Sequence, residues 1–212
     1  MTPFTTLTAI AAPLLRDNID TDAIIPSREI TTTAKTGLAD GLFAGWRYTR
    51  IGGREPVAGF VLNDPVFRGA RILLTGANFG CGSSREHAAW ALAEYGFRVI
   101  VAVSFNPIFR GNAVRNGLVP IELPASAIAA IAHETEGDPA TRLVSVDLPA
   151  ERLTISGATG YDFRLEPEAK AMLIAGLDAI DLTWRHREAI ANFRAADHVR
   201  RPWVYRGQSE RH

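Results

Sequence analysis

One stretch fixes most of what this chain can become: an apolar run, a glycine-rich turn and an alanine-rich segment in direct succession. Ala70-Arg71-Ile72-Leu73-Leu74-Thr75 has the length and bounding of a buried strand. Gly76-Ala77-Asn78-Phe79-Gly80-Cys81-Gly82-Ser83-Ser84-Arg85-Glu86-His87 then turns the chain, and the alanines, Leu92 and Glu94 read as a helix stopped by Gly96. Amides at such a helix entrance lack intrahelical partners and lie at the positive dipole end, where anions are favoured. Ser83, Ser84 and Arg85 stand there, two hydroxyls and a guanidinium fork able to grip a carboxylate or phosphate.

Each residue taken alone has a plainer account. Ser83 followed by Glu86 has the spacing of a capping box. The glycines suit a tight turn, and Arg85 suits a solvated surface. Together they are harder to assign to capping. Familiar glycine fingerprints do not apply: Gly76, Gly80 and Gly82 are spaced G-x-x-x-G-x-G, not G-x-G-x-x-G, and no P-loop lysine follows.

Charge and cysteine content narrow the classes. Lysine plus arginine equals aspartate plus glutamate, 23 against 23, so the basic field of a general nucleic-acid or acidic-membrane binder is missing. The basic residues gather late, at Arg185-His186-Arg187 and from His198 to Arg201, as a solvated or contact face. One cysteine among 212 residues permits no intrachain disulfide and no cysteine-held zinc or iron–sulfur centre within this chain. No basic region precedes the apolar run Leu7 to Leu15, so no signal peptide is expected. No stretch reaches the roughly 20 apolar residues of a membrane helix. The expectation is a cytoplasmic protein that binds neither nucleic acid nor membrane, with no metal site of its own.

In chain order, Leu7 to Leu15 reads as one strand broken by Pro13. Asp17, Asp20 and Asp22, interleaved with Asn18 and Thr21, read as a rigid turn, or alternatively as one that presents polar groups to a cleft. The segment lacks the glycine and glutamate of a calcium loop. Ser27 to Thr36 is polar and aperiodic, a mobile loop of the kind that carries specificity. Gly37 to Trp46 suggests a short helix.

Arg98 to Val103 is a second buried strand, parallel to the first through a right-handed crossover. Asn106-Pro107 opens the next helix, Gly117 ends it, and Leu118 to Leu123 is a third strand. Arg110, Asn112, Arg115 and Asn116 read as solvated helix surface. A helix from Ala125 and strands at Val144–Leu148, Arg152–Ile155 and Tyr161–Phe163 follow. Helices then run from Glu168 to Ala175 and from Trp184 to Ala196, with a tail from about Asp197 that is loosely ordered or docked on a partner. No internal boundary is visible, so residues 1–212 are taken as a single domain.

The stretch Asn78 to His87 resembles the signature of the small subunit of 3-isopropylmalate dehydratase, in the aconitase superfamily. Asp20-Thr21-Asp22-Ala23-Ile24-Ile25-Pro26 is similar to that family's N-terminal motif, and Ser104 to Phe109 with Gly111-Asn112 also fits. The resemblance implies an α/β fold: a three-layer β/β/α swivelling domain with a parallel-rich sheet core. It implies a hydro-lyase that interconverts 2-isopropylmalate and 3-isopropylmalate in leucine biosynthesis. It implies no cofactor on this chain and a [4Fe–4S] cluster supplied by a separate large subunit.

By the same resemblance Ser83 is the catalytic base, and Ser84 and Arg85 bind the substrate carboxylate. Gly80, Gly82, Glu86, His87, Asp20 and Asp22 support the turn, and Cys81 is structural. The family's specificity loop reads Ser27-Arg28-Glu29-Ile30-Thr31 here, which adds Arg28 to the substrate-binding set and departs from the usual aromatic pattern. A paralogue acting on another malate-type diacid, citraconate or dimethylmalate, is therefore the alternative. A non-catalytic anion-binding module is the alternative from another class.

Overall fold

The computed structural model describes residues 1–156 and 160–205. They fall into two compact units, the first ending at Gly176 and the second beginning at Leu177. In the first unit Leu7 to Leu15 is not one strand. It divides at Ile10 into β1 (Thr6–Ala9) and β2 (Ala11–Leu14), which join different sheets. The imperfect alternation follows from that division: one of four residues is buried in β1 and three of four in β2. Pro13 is tolerated because β2 is an edge strand, where a missing N–H leaves no ladder bond unmade.

The chain continues through α1 (Thr21–Ile24), a 3-10 turn at Ser27–Glu29, and α2 (Ala44–Arg47). The expected helix from Gly37 to Trp46 is instead a 3-10 turn at Ala39–Gly41 followed by α2. Phe43 between them takes a left-handed conformation that interrupts the helix.

β3 (Ile72–Thr75), α3 (Glu86–Tyr95), β4 (Val99–Ala102), α4 (Pro107–Arg115) and β5 (Val119–Glu122) then alternate. The strands form a parallel sheet in the order β2-β3-β4-β5, with Ile72 opposite Val99 and Val99 opposite Val119. Every residue of β3 and β4 is buried, as expected of parallel strands covered on both faces. Leu73 and Ile100 join a core with Ala88, Ala89, Ala91 and Leu92 of α3.

α3 forms because alanine and leucine carry its buried stripe and Gly96 can take φ 120° at its end. Gly96 N–H donates to Ala93 and Phe97 N–H to Leu92, the paired bonds of a Schellman stop. α4 is capped by Asn106, whose side chain accepts from Ile108 N at 3.0 Å, with Pro107 in the first turn.

α5 (Ala125–Glu136) packs on the parallel sheet against β2, β3 and β4. β6 (Val144–Asp147), β7 (Arg152–Ile155) and β8 (Gly160–Asp162) pair with β1 in a second, antiparallel sheet of order β1-β6-β7-β8. α6 (Pro167–Ala175) closes the unit, ended by Gly176 at φ 67°. This is the expected α/β fold, with a parallel core sheet, a second sheet and covering helices.

In the second unit the helix expected from Trp184 to Ala196 is α8 (Arg187–Arg200), which starts three residues later and runs four residues further, and a short helix that was not expected, α7 (Ala179–Trp184), precedes it. The α7 carbonyls at Leu182 and Thr183 are taken by the amides of Arg185 and His186, which close that helix before the next begins. Asp197, buried on α8, accepts from Arg201 Nε at 2.7 Å and from Tyr205 OH at 2.9 Å, so the segment to Tyr205 is tied to its own helix.

Candidate active site

The site grows from the C-terminal end of β3, where the chain leaves a parallel sheet beside the next helix. Residues 76 to 85 run between two flanking segments. On one side Asn18 N–H donates to Ala77 O (2.8 Å), Gly80 N–H to Ile19 O (2.7 Å) and Thr21 N–H to Cys81 O (2.9 Å). Thr21 Oγ1 adds a bond to Ser83 O at 2.8 Å, and Asp17 Oδ1 accepts from Ala77 N at 2.6 Å. On the other side Phe79 N–H donates to Ser104 O and Asn106 N–H to Phe79 O. The aspartate-rich turn is thus a clamp, bonded to the serine turn about 60 residues away. Both motifs form one structure.

Two glycines make that structure possible. Gly80 sits at φ 75°, and a Cβ there would lie 2.2 Å from the Phe109 ring carbon Cγ. Gly82 sits at φ 85°, with Asp20 Cβ 3.3 Å from where its own would be. Both need the left-handed region that only glycine occupies freely. Asp20 caps α1 by accepting from Ala23 N at 2.6 Å.

The capping-box account of Ser83 and Glu86 does not hold. α3 begins at Glu86, and its cap residue is Arg85, extended at φ −125° and ψ 111° with no side-chain capping bond. Ser83 and Ser84 are exposed, and among the described residues neither hydroxyl is engaged in a side-chain hydrogen bond. Their Oγ atoms are therefore available to a ligand. They line a small concavity with Arg85, Asn106, Phe109 and Asn112. The arginine side chain is 24 % exposed, held by Asp22 and by a 2.9 Å bond to Ser27 Oγ.

The other expected residues take supporting or separate positions. Glu86 accepts from Asn116 Nδ2 at 3.3 Å, which ties the start of α3 to the end of α4. The His87 ring stacks obliquely on Trp90. Arg28 is not brought into the concavity. Its Nε lies 3.6 Å from Glu29 Oε1, and Glu29, itself buried, also pairs with Arg54 at 2.8 Å.

The polar loop after Ser27 is fastened to α3 and α4. Lys35 Nζ lies over the Trp90 ring and donates to Asn116 at 3.0 Å. Glu94 accepts three amides, from Gly37, Leu38 and Ala39. Partial burial acts to raise the Glu94 carboxyl, and those three N–H donors outweigh it, leaving it below the ordinary carboxylate value.

Asn112 is the residue the sequence reading misassigned. It is 4 % exposed, accepts from Arg115, and faces the serines rather than solvent. A signal existed: Phe109, Asn112, Ala113 and Asn116 recur at helical spacing, which puts Asn112 on the buried stripe. Among the described residues no group of three or more His, Cys, Asp or Glu side chains could hold a metal ion, and no helix is long and apolar enough to cross a membrane.

With this geometry in place, the likeness to known proteins has a physical meaning. Residues 1–126 match the family model described as the aconitase C-terminal domain. The 3-isopropylmalate dehydratase small subunit of Cupriavidus necator is 53% identical over 205 residues, spanning 97% of this chain and 99% of that protein. The protein of the same name from Dechloromonas aromatica is 43% identical over 212 residues, spanning 97% and 100%. The crystal structure of 3-isopropylmalate dehydratase from Methanocaldococcus jannaschii superposes with a TM-score of 0.62 at 27% identity, covering 88% of this chain and 99% of that one. Identity at this level over nearly full length shows the family, and the chain belongs to the 3-isopropylmalate dehydratase small subunits within the aconitase superfamily.

Proposed function

We infer that this chain is the small subunit of a hydro-lyase that interconverts 2-isopropylmalate and 3-isopropylmalate in leucine biosynthesis, acting with a larger partner subunit. Residues 1–212 serve as its swivel domain. The observation that carries the reading is the exposed pair of unengaged hydroxyls, Ser83 and Ser84, beside a fixed guanidinium at a helix entrance. Such a site suits an anionic substrate.

The reaction removes a proton from carbon beside a carboxylate and expels a hydroxide, so the C–H electron pair becomes the new C=C bond. Ser83 Oγ is assigned as the base that receives the proton. A serine alkoxide is improbable in water and needs nearby positive donors. The amides at the start of α3, at the positive end of its dipole, and the Arg85 guanidinium are assigned as those donors. Ser84 Oγ and Arg85 bind the adjacent carboxylate, where negative charge grows in the transition state. Arg28, paired with Glu29 outside the concavity, is left out of this carboxylate site. In rehydration Ser83 Oγ gives a proton to the carbon that lost the hydroxyl while hydroxide adds to the carbon that lost its proton, which restores the serine base and completes the exchange of positions.

The proposed [4Fe–4S] cluster belongs to the partner, because this chain has a single cysteine; bound there, it supplies Lewis acidity for the departing hydroxyl. The cytoplasm, where thiols and clusters stay reduced, is the proposed compartment.

The test is a substrate panel on the complex co-expressed with a cluster-bearing large subunit. The expected result is a kcat/KM for 3-isopropylmalate at least about tenfold above those for citraconate hydration and dimethylmalate dehydration, the discrimination one to two buried methyl groups can give. A clear preference for either smaller diacid transfers the assignment to that paralogous reaction. Binding of diacids with no turnover of any sends it to the anion-binding module.

A further inference from the structure

The Arg85 guanidinium is not free to point anywhere. Its Nη1 is paired with the Asp22 carboxylate and donates to Ser27 Oγ at 2.9 Å, and Ser27 Oγ in turn lies 3.3 Å from Asp22 Oδ1. Among the described residues Nε and Nη2 have no hydrogen-bond partner. These two nitrogens form the side edge of the guanidinium, two parallel N–H groups matched to one carboxylate. Asp22 is held in turn by the start of α1, whose cap bond from Ala23 to Asp20 and link from Thr21 to Cys81 tie it to the serine turn.

We propose that Asp22, with Ser27, is a positioning residue that anchors Nη1 and thereby presents the Nε/Nη2 edge of Arg85 to the substrate carboxylate. The proposal rests on the assignment of Arg85 as carboxylate ligand and deepens it. Asp22 itself does not touch substrate. A carboxylate beside an anionic ligand weakens long-range attraction, so a purely electrostatic account predicts tighter binding when its charge is removed. A positioning account predicts the reverse for alanine and recovery for asparagine, whose amide oxygen still accepts from Nη1. An exposed ion pair of this kind contributes little to folding; Asp22 is 55 % exposed. Its role therefore lies in orientation.

The experiment is a double-substitution cycle measured on the complex with the large subunit. Asp22→Ala is expected to raise KM about tenfold with a smaller change in kcat, as loss of a fixed ligand orientation does. Asp22→Asn should recover most of it. In an Arg85→Lys background, where no fork exists to be oriented, Asp22→Ala should change KM by less than about twofold. Melting temperatures of the single variants should stay near wild type, which separates orientation from folding.

An undiminished tenfold effect in the lysine background overturns the proposal, and so does an Asp22→Asn variant that binds more tightly than wild type. Either outcome leaves the hydro-lyase reading intact. That reading fails on a different result, full turnover with Ser83→Ala.

Discussion

Ser83→Ala is expected to lower kcat of the assembled enzyme by about a thousandfold or more, the loss of the proposed general base. KM should move little, because the proposed carboxylate ligands Ser84 and Arg85 remain in place and the interaction removed is one used in the transition state. The fold has little reason to respond. Ser83 is exposed and among the described residues its hydroxyl bonds to no side chain, while the contact that matters structurally, Thr21 Oγ1 to the Ser83 carbonyl, survives any side-chain change. Surface substitutions of this kind stay within about 0.5 kcal/mol. Steady-state kinetics with a co-purification check reads both parts. A dead variant that also fails to assemble points to an interface role, and one with near-normal kcat removes Ser83 from the chemistry.

Gly80→Ala has the largest expected effect on stability. Its φ of 75° would place an L-residue in a costly region, and the added Cβ would meet Phe109 Cγ at 2.2 Å and Phe109 Cβ at 2.5 Å. Since the Phe109 Cβ itself obstructs, rotating the ring away gives no relief. Backbone strain and overpacking together destabilise by about 3–5 kcal/mol, or roughly 10 °C in Tm for a chain of this length. Gly59→Ala is the control: φ is 79° there, but nothing lies within 4 Å of the new Cβ. It should show the strain alone, about 1 kcal/mol. Equal Tm losses at the two positions would mean that the close approach of Phe109 has no energetic weight.

The parallel sheet was readable from sequence because strands covered on both faces are unbroken apolar runs. Ile72–Thr75 and Val99–Ala102 are such runs, and each is followed by a helix with its own stop or cap. The division at Ile10 was not readable, since two short strands in separate sheets together resemble one irregular strand. The break between α7 and α8 falls at Arg185-His186, with no glycine or proline to mark it.

The site divided in the same way. Local chemistry exposed Ser83, Ser84 and Arg85. The clamp from Asn18, Ile19 and Thr21 is made of backbone bonds to residues about 60 positions away, and such bonds leave no periodic trace. Ser83 and Glu86 show the opposite failure. Their spacing satisfies a capping box, yet the extended backbone at Arg85 starts the helix later and leaves Ser83 outside it.

The central claim is that this chain holds half of an active centre and that the other half arrives on a partner. Its most direct measurement is isomerisation of 3-isopropylmalate with the two subunits supplied separately and then titrated together. The account predicts background rates for each alone, a rate that rises and saturates as this chain is added to the large subunit, and the same binding curve with no rate for Ser83→Ala. Full turnover by the large subunit without this chain, or by this chain alone, would contradict it.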